Sequence, residues 1–306
     1  MTAGLPRAED AVAATARLAG HAPITDLTPW SRLSARLGVD VRVKRDDRLP
    51  GGTMFRGAAN AVLAASPGAL TQGLIAASNG PFGAAVAEMA LRLSVHATIV
   101  LPEDAPDFTA PHARVLRVPG THADARAAAA IRAHAEGLRL IDAASAEAMA
   151  GTATAALEAL GQWPELDAMV AAAASGALCA GLALGLRGAR STARLVAAAP
   201  QACPSLRESL TAAHAVAAPC APTRAAILRA GVTPEAPGAY LILARAMDSF
   251  TDLSEDEITA AEAFLIAGDA PDGLGAGAGT VLPLAALLHR GPELFAARVV
   301  LIASGG

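Results

Sequence analysis

Short aliphatic and β-branched runs alternate along this chain with longer alanine-rich stretches, and the spacing of the polar positions changes with them. Val41–Lys44 (VRVK), Gly73–Ala77 (GLIAA), Ala97–Leu101 (ATIVL) and Arg139–Asp142 (RLID) have the length and composition of strands. Between and around them, Gly57–Ala65, Gly83–Leu93, Asp107–Val118 and Ala123–Gly137 read as helices. The apolar run Leu166–Leu186 is broken by Ser175 and Gly176, so it reads as a buried strand, a glycine turn and a buried helix rather than one membrane span. A strand-like ARLVAAAP follows it, and Arg298–Ala303 is a further strand. Strands separated by helices pair in parallel, which predicts an α/β fold with mostly parallel twisted sheets flanked by helices. Pro- and Gly-rich patches at Pro219–Pro222, Thr233–Gly238 and Ala270–Gly279 mark surface loops.

In sheets of this kind ligands collect beyond the carboxyl ends of the strands, where helix amino termini present unpaired N–H groups. Four turns qualify: Arg45–Arg56 after VRVK, Ser78–Gly83 after GLIAA, Ala174–Ala177 after the strand in the long apolar run, and Ser304–Gly306.

Composition narrows the classes of function. With 306 residues, 53% of them hydrophobic but only 3% aromatic, the chain can bury a large core filled mainly by alanine and glycine. A net charge of −4 with no basic run supplies no field for nucleic acid. Charges recur every few positions in the first twenty residues, which therefore read neither as a secretory signal nor as a membrane anchor. Cys179, Cys203 and Cys220 are an odd set without paired spacing, and the seven histidines show no metal-ligand spacing. A cytoplasmic protein without metal or disulfides is expected.

Thr28–Pro29, Lys44–Pro50 (KRDDRLP), Arg56–Gly57–Ala58, Ala77–Ser78–Asn79–Gly80 and Ser304–Gly305 occur in the order and rough spacing of threonine dehydratase. On these motifs, which span nearly the whole chain, it resembles the fold-type II pyridoxal-phosphate family, with serine racemase and the tryptophan synthase β chain. The resemblance implies two lobes, residues 1–70 plus 149–306 forming the larger and 71–148 an inserted smaller one, and it implies a homodimer. In that family a Schiff-base lysine lies in a Ser-Phe-Lys-x-Arg-Gly-Ala motif. Aligning on Arg56–Ala58 places Met54 there and aligning on Lys44–Pro50 places Phe55 there, so neither choice supplies an amine. Lys44 is the only lysine in the chain.

The other cofactor positions depart from the family too. The Ser-x-Gly-Asn-His loop, whose asparagine bonds the cofactor's ring hydroxyl, reads Ser78–Asn79–Gly80–Pro81–Phe82, so Pro81 replaces the amide and Asn79 is the substitute. The four-glycine phosphate cradle reads Ala174–Ser175–Gly176–Ala177, and three Cβ atoms are expected to distort it. The Glu-Pro-Ser-Gly-Ala segment aligns with Ala276–Thr280 and loses its carboxylate. Ser304 still matches the residue facing the pyridine nitrogen.

These losses predict a small-molecule lyase, cyclase or isomerase that works by acid–base chemistry with no pyridoxal phosphate and no other cofactor. Its candidate residues are Arg56, Asp46 (with Asp47 as its alternative), Ser78, Asn79 and, in the segment Asp107–His112, His112. One alternative is a catalytically inactive relative that binds a ligand or partners an active paralogue; another is a dehydratase that keeps the cofactor on Lys44. Each candidate also has a plainer role: Arg56 in an ion pair with Asp46 or Asp47, Ser78 and Asn79 as helix caps, Ser175 as a turn residue, Cys179 as core filler.

Overall fold

The computed structural model describes residues 4–291 and 297–305. Its ten strands are β1 (Leu27–Pro29), β2 (Asp40–Lys44), β3 (Leu74–Ala77), β4 (Ala97–Pro102), β5 (Arg114–Val118), β6 (Arg139–Leu140), β7 (Ala168–Ala172), β8 (Arg194–Pro200), β9 (Ser249–Leu253) and β10 (Arg298–Ile302). One sheet has the order β1-β2-β10-β7-β8-β9 and the other β5-β4-β3-β6. Pairing is parallel throughout except between β1 and β2. The second sheet is built wholly from residues that fall between β2 and β7 in sequence. This is the α/β architecture with parallel sheets flanked by helices that the alternating pattern predicts.

The larger sheet is covered on both faces, which is why β7 (AMVAA) is apolar and buried at every position instead of alternating. Met169, Ala171, Leu195 and Ala197 face the layer formed by helices Ala146–Gln162 and Ala177–Gly188. Val170, Val196, Val299 and Leu301 face the layer of helices Glu255–Phe264 and Ala278–Arg290. The run Leu166–Leu186 divides as expected, into β7, a turn at Gly176 and helix Ala177–Gly188. Among the described residues no helix is long and apolar enough to cross a membrane.

One element differs from the sequence reading. Asp107–Val118 is not a helix: Arg114–Val118 (RVLRV) is strand β5, with Val115 beside Ile99 and Leu116 beside Val100 of β4. Two β-branched valines in five residues and a free edge on β4 outweigh the weak helical spacing.

Small residues let the helical layer close. Gly151, in helix Ala146–Gln162, lies where a Cβ would come within 2.3 Å of the Arg56 carbonyl oxygen and 2.6 Å of the Asn60 Cβ. The contact brings helix Met54–Leu63 against helix Ala146–Gln162, so Arg56 on one reaches Glu158 on the other. Gly151→Ala gains up to about 1 kcal/mol of helix propensity. Overlap with a backbone oxygen costs about 1–3 kcal/mol and outweighs it. The variant therefore unfolds at lower denaturant concentration than the parent, measured by urea titration of the far-ultraviolet circular dichroism.

Candidate functional site

The residues singled out from the sequence fall into two separate places. The first is a buried ion network below the cleft. Arg56 grips Asp46 through two bonds of 2.9 Å, Nε to Oδ2 and Nη2 to Oδ1, and also donates to Glu158 at 3.1 and 2.6 Å. Thr25 Oγ1 donates to Asp46 Oδ1 at 2.6 Å. Lys44 Nζ donates to Glu158 Oε2 and the Thr25 carbonyl, both at 2.6 Å, and to Gln162 Oε1 at 3.3 Å. An ammonium carries three protons, so this one is fully subscribed.

Lys44 and Asp46 have no exposed surface and Arg56 retains only 1%. Burial pulls the Lys44 pKa down and the Glu158 carboxylate only partly restores it. Burial alone would raise the Asp46 carboxyl, but the charge and hydrogen bonds of Arg56 more than reverse this and hold it below the ordinary value. Asp47 pairs instead with Arg45, at 2.9 Å. Arg56 and Asp46 thus do not line the cavity described next, contrary to their expected place in the active site. The plainer ion-pair role is the geometry observed.

The second place is a cleft of about 110 Å³. It opens where the carboxyl ends of β3, β7 and β10 meet, at Ala77, Ala172 and Ser304. Ser78 and Asn79 lie on its wall. Ser78 Oγ accepts the N–H groups of Gly80 and Gly83, each at 2.9 Å, and so caps helix Pro81–Leu93. Asn79 Nδ2 donates to the Arg229 carbonyl at 2.9 Å, while its Oδ1 is buried with no donor. Met54 lines the cleft. Phe55 does not; it is wholly buried under the Arg92 guanidinium, 4.9 Å from the ring centre. Helix phase therefore places Met54 at the former lysine position. His112 is exposed and borders a different hollow, with Pro50 and Glu88. Cys179 is core, its thiol pushed up to about 12 by burial.

His122 is the functional candidate that the sequence reading missed. It is the only titratable side chain on the described wall of the cleft, half-buried at the start of helix His122–Glu136. Burial, then the positive charge of Arg126, pushes its pKa down to about 4, with Asp142 opposing. The imidazole is therefore neutral at physiological pH, and a weaker base than an ordinary histidine. Its signal was its place just beyond the carboxyl end of β5, visible only once Arg114–Val118 is recognised as a strand.

The wall fits the polar groups of pyridoxal phosphate but not its aldehyde. Ala174–Ala177 open helix Ala177–Gly188, whose first N–H groups have no carbonyl inside the helix and favour an anion. Gly176 is in the left-handed region, at φ +92°, and no other residue of the four has a positive φ. The three Cβ atoms expected to distort this cradle thus occupy ordinary backbone, and the one position that requires glycine has kept it. Asn79 Oδ1 is an acceptor awaiting a donor, which a ring hydroxyl is, and Ser304 stands across the cleft. Among the described residues no amine reaches the wall: Lys44 is not part of it, and Met54 occupies the position where the alignment seeks one.

Comparison with known proteins bears on the family. The family described as "Pyridoxal-phosphate dependent enzyme" matches residues 18–305. The chain is 30% identical over 291 residues to an L-threonine ammonia-lyase of Geobacter sulfurreducens, covering 92% of this chain and 71% of that protein. It is 31% identical over 205 residues to an L-threo-3-hydroxyaspartate ammonia-lyase of Saccharomyces cerevisiae, covering 65% of this chain and 63% of the relative, so it spans less than two thirds of that protein. Among solved structures, a threonine deaminase from T.th. superposes with a TM-score of 0.84 at 27% identity over 98% of both chains. Maize serine racemase superposes at 0.87 and 22% identity, covering 99% of this chain and 94% of that one, a likeness of fold. The match overturns two expectations: chemistry independent of pyridoxal phosphate, and a cleft with no cofactor. The relatives favour the reading that keeps the cofactor, although the burial of Lys44 excludes that residue as its anchor.

Arg56→Ala leaves Asp46 charged, buried and without its main partner, which costs about 3–5 kcal/mol. The loss is read as a lowered midpoint in thermal or urea unfolding.

Proposed function

The chain belongs to the pyridoxal-phosphate dependent enzyme family, and we propose that it seats this cofactor in the cleft without a covalent anchor and converts a small 3-hydroxy α-amino acid to a 2-oxo acid and ammonia. The observation that carries the reading is one wall combining the Gly176 cradle, an acceptor with no donor on Asn79, and a single titratable group, His122. The ammonia-lyase relatives support the reaction class.

Bound pyridoxal phosphate supplies an electron sink that acidifies the α-hydrogen of an amino acid. The chain's own residues supply the rest. The first N–H groups of helix Ala177–Gly188 would hold the phosphate, as an anion at a helix amino terminus. Asn79 Oδ1 would accept the ring hydroxyl, and Ser304, whose Oγ donates to the Gly279 carbonyl at 3.3 Å, would stand beside the ring nitrogen. The turn Ser78–Phe82 lines the wall beside the substrate, with the N–H groups of Gly80 and Gly83 held by Ser78 Oγ. Met54 and Phe82 are apolar and keep water from that region. His122, neutral and on the wall, accepts the substrate proton and returns it to the leaving hydroxyl.

With added pyridoxal phosphate, L-serine, L-threonine and L-threo-3-hydroxyaspartate are assayed for 2-oxo acid and ammonia. At least one is converted, and His122→Gln lowers its kcat by about 10²–10⁴-fold. Because His122 works as the neutral imidazole, kcat/KM stays level as the pH is lowered to about 5 and falls through about 4 as the ring protonates. No conversion of any of the three, or full activity in His122→Gln, contradicts the reading.

A further inference from the structure

A cleft that holds the phosphate, hydroxyl and ring nitrogen but offers nothing to the aldehyde has no means of preferring the aldehyde. We infer that the site binds the phosphorylated pyridines of the vitamin B6 class interchangeably, taking the aldehyde, amine and alcohol forms alike. The inference rests on the seat proposed above and extends it from one cofactor to a ligand class.

The sole lysine is removed from consideration by geometry. It is without exposed surface and its three protons are spent on Thr25, Glu158 and Gln162. Arginine remains a charged guanidinium and forms no imine under these conditions. The remaining wall near Met54 is apolar or small: Ala77, Phe82 and Ala143. In a site with a lysine, a covalent bond adds to the affinity of the aldehyde alone and separates it from the other two forms. Here every attractive contact falls on groups the three forms share. The second observation, besides the helix amino terminus, is Asn79 Oδ1: it belongs to a side chain of the wall with 7% exposure, has no donor, and would accept a hydroxyl present in all three.

The test is isothermal titration calorimetry of the full chain with pyridoxal 5′-phosphate, pyridoxamine 5′-phosphate, pyridoxine 5′-phosphate and unphosphorylated pyridoxal. Alongside it, the pyridoxal phosphate complex is treated with borohydride and its peptides are mapped by mass. The three phosphorylated forms are expected to bind within about threefold of one another. Pyridoxal is expected to bind at least about 100-fold more weakly, because several hydrogen bonds to a charged group are lost. Lys44 is expected to carry no added mass. Binding of the aldehyde form more than about 30-fold tighter than the other two, or fixation at Lys44, overturns the inference and leaves the seat standing. Absence of binding by all three overturns the seat itself and the inference with it.

Discussion

The buried network of Lys44, Glu158, Arg56 and Asp46 is the interaction on which the rest of the structure depends. Its two cations and two carboxylates balance, and its members come from β2, the turn after it, and helices Met54–Leu63 and Ala146–Gln162. Three buried charges beside a partly exposed Glu158 are tolerated only with nearly every donor matched, and the bidentate Arg56–Asp46 pair and the three bonds of Lys44 meet that condition. The same geometry fixes the chemistry available above it. The one primary amine of the side chains is consumed in holding the fold, so none remains for the cleft.

What remains in the cleft is set by topology. Parallel strands bring their carboxyl ends to one edge, and β3, β7 and β10 there deliver Ser78, Asn79, the Gly176 turn and Ser304 to a common space. A single glycine in the left-handed region is enough to turn the chain into helix Ala177–Gly188, and the three residues beside it in the loop have no positive φ. In the proposed seat the phosphate contacts come from backbone N–H groups and do not depend on the missing lysine, whereas the ring contacts rest on the side chains of Asn79 and Ser304.

Much of this was legible in the sequence. Apolar runs and glycine breaks located β7 and the turn at Gly176, and the rule about strand ends picked out four turns that each contribute to the wall, Arg45–Arg56 through Met54. The errors have definite causes. Arg56 and Asp46 look alike in sequence whether they face a ligand or one another, and only the approach of helix Ala146–Gln162, which supplies Glu158, decides between the two. Met54 and Phe55 are adjacent, and a shortened loop left the alignment open until helix phase turned one to the cleft and the other to the core. Reading Arg114–Val118 as part of a helix concealed a strand end, and with it His122. The candidate drawn from that segment, His112, lies on a separate hollow.

The central claim is that a vitamin B6 ligand enters the cleft while Lys44 stays in its ion network. Crystals of the chain soaked with pyridoxal phosphate test it most directly. The account predicts phosphate density against the first turn of helix Ala177–Gly188 and the Lys44 ammonium still on Glu158. Continuous density joining Lys44 Nζ to the ligand would contradict it.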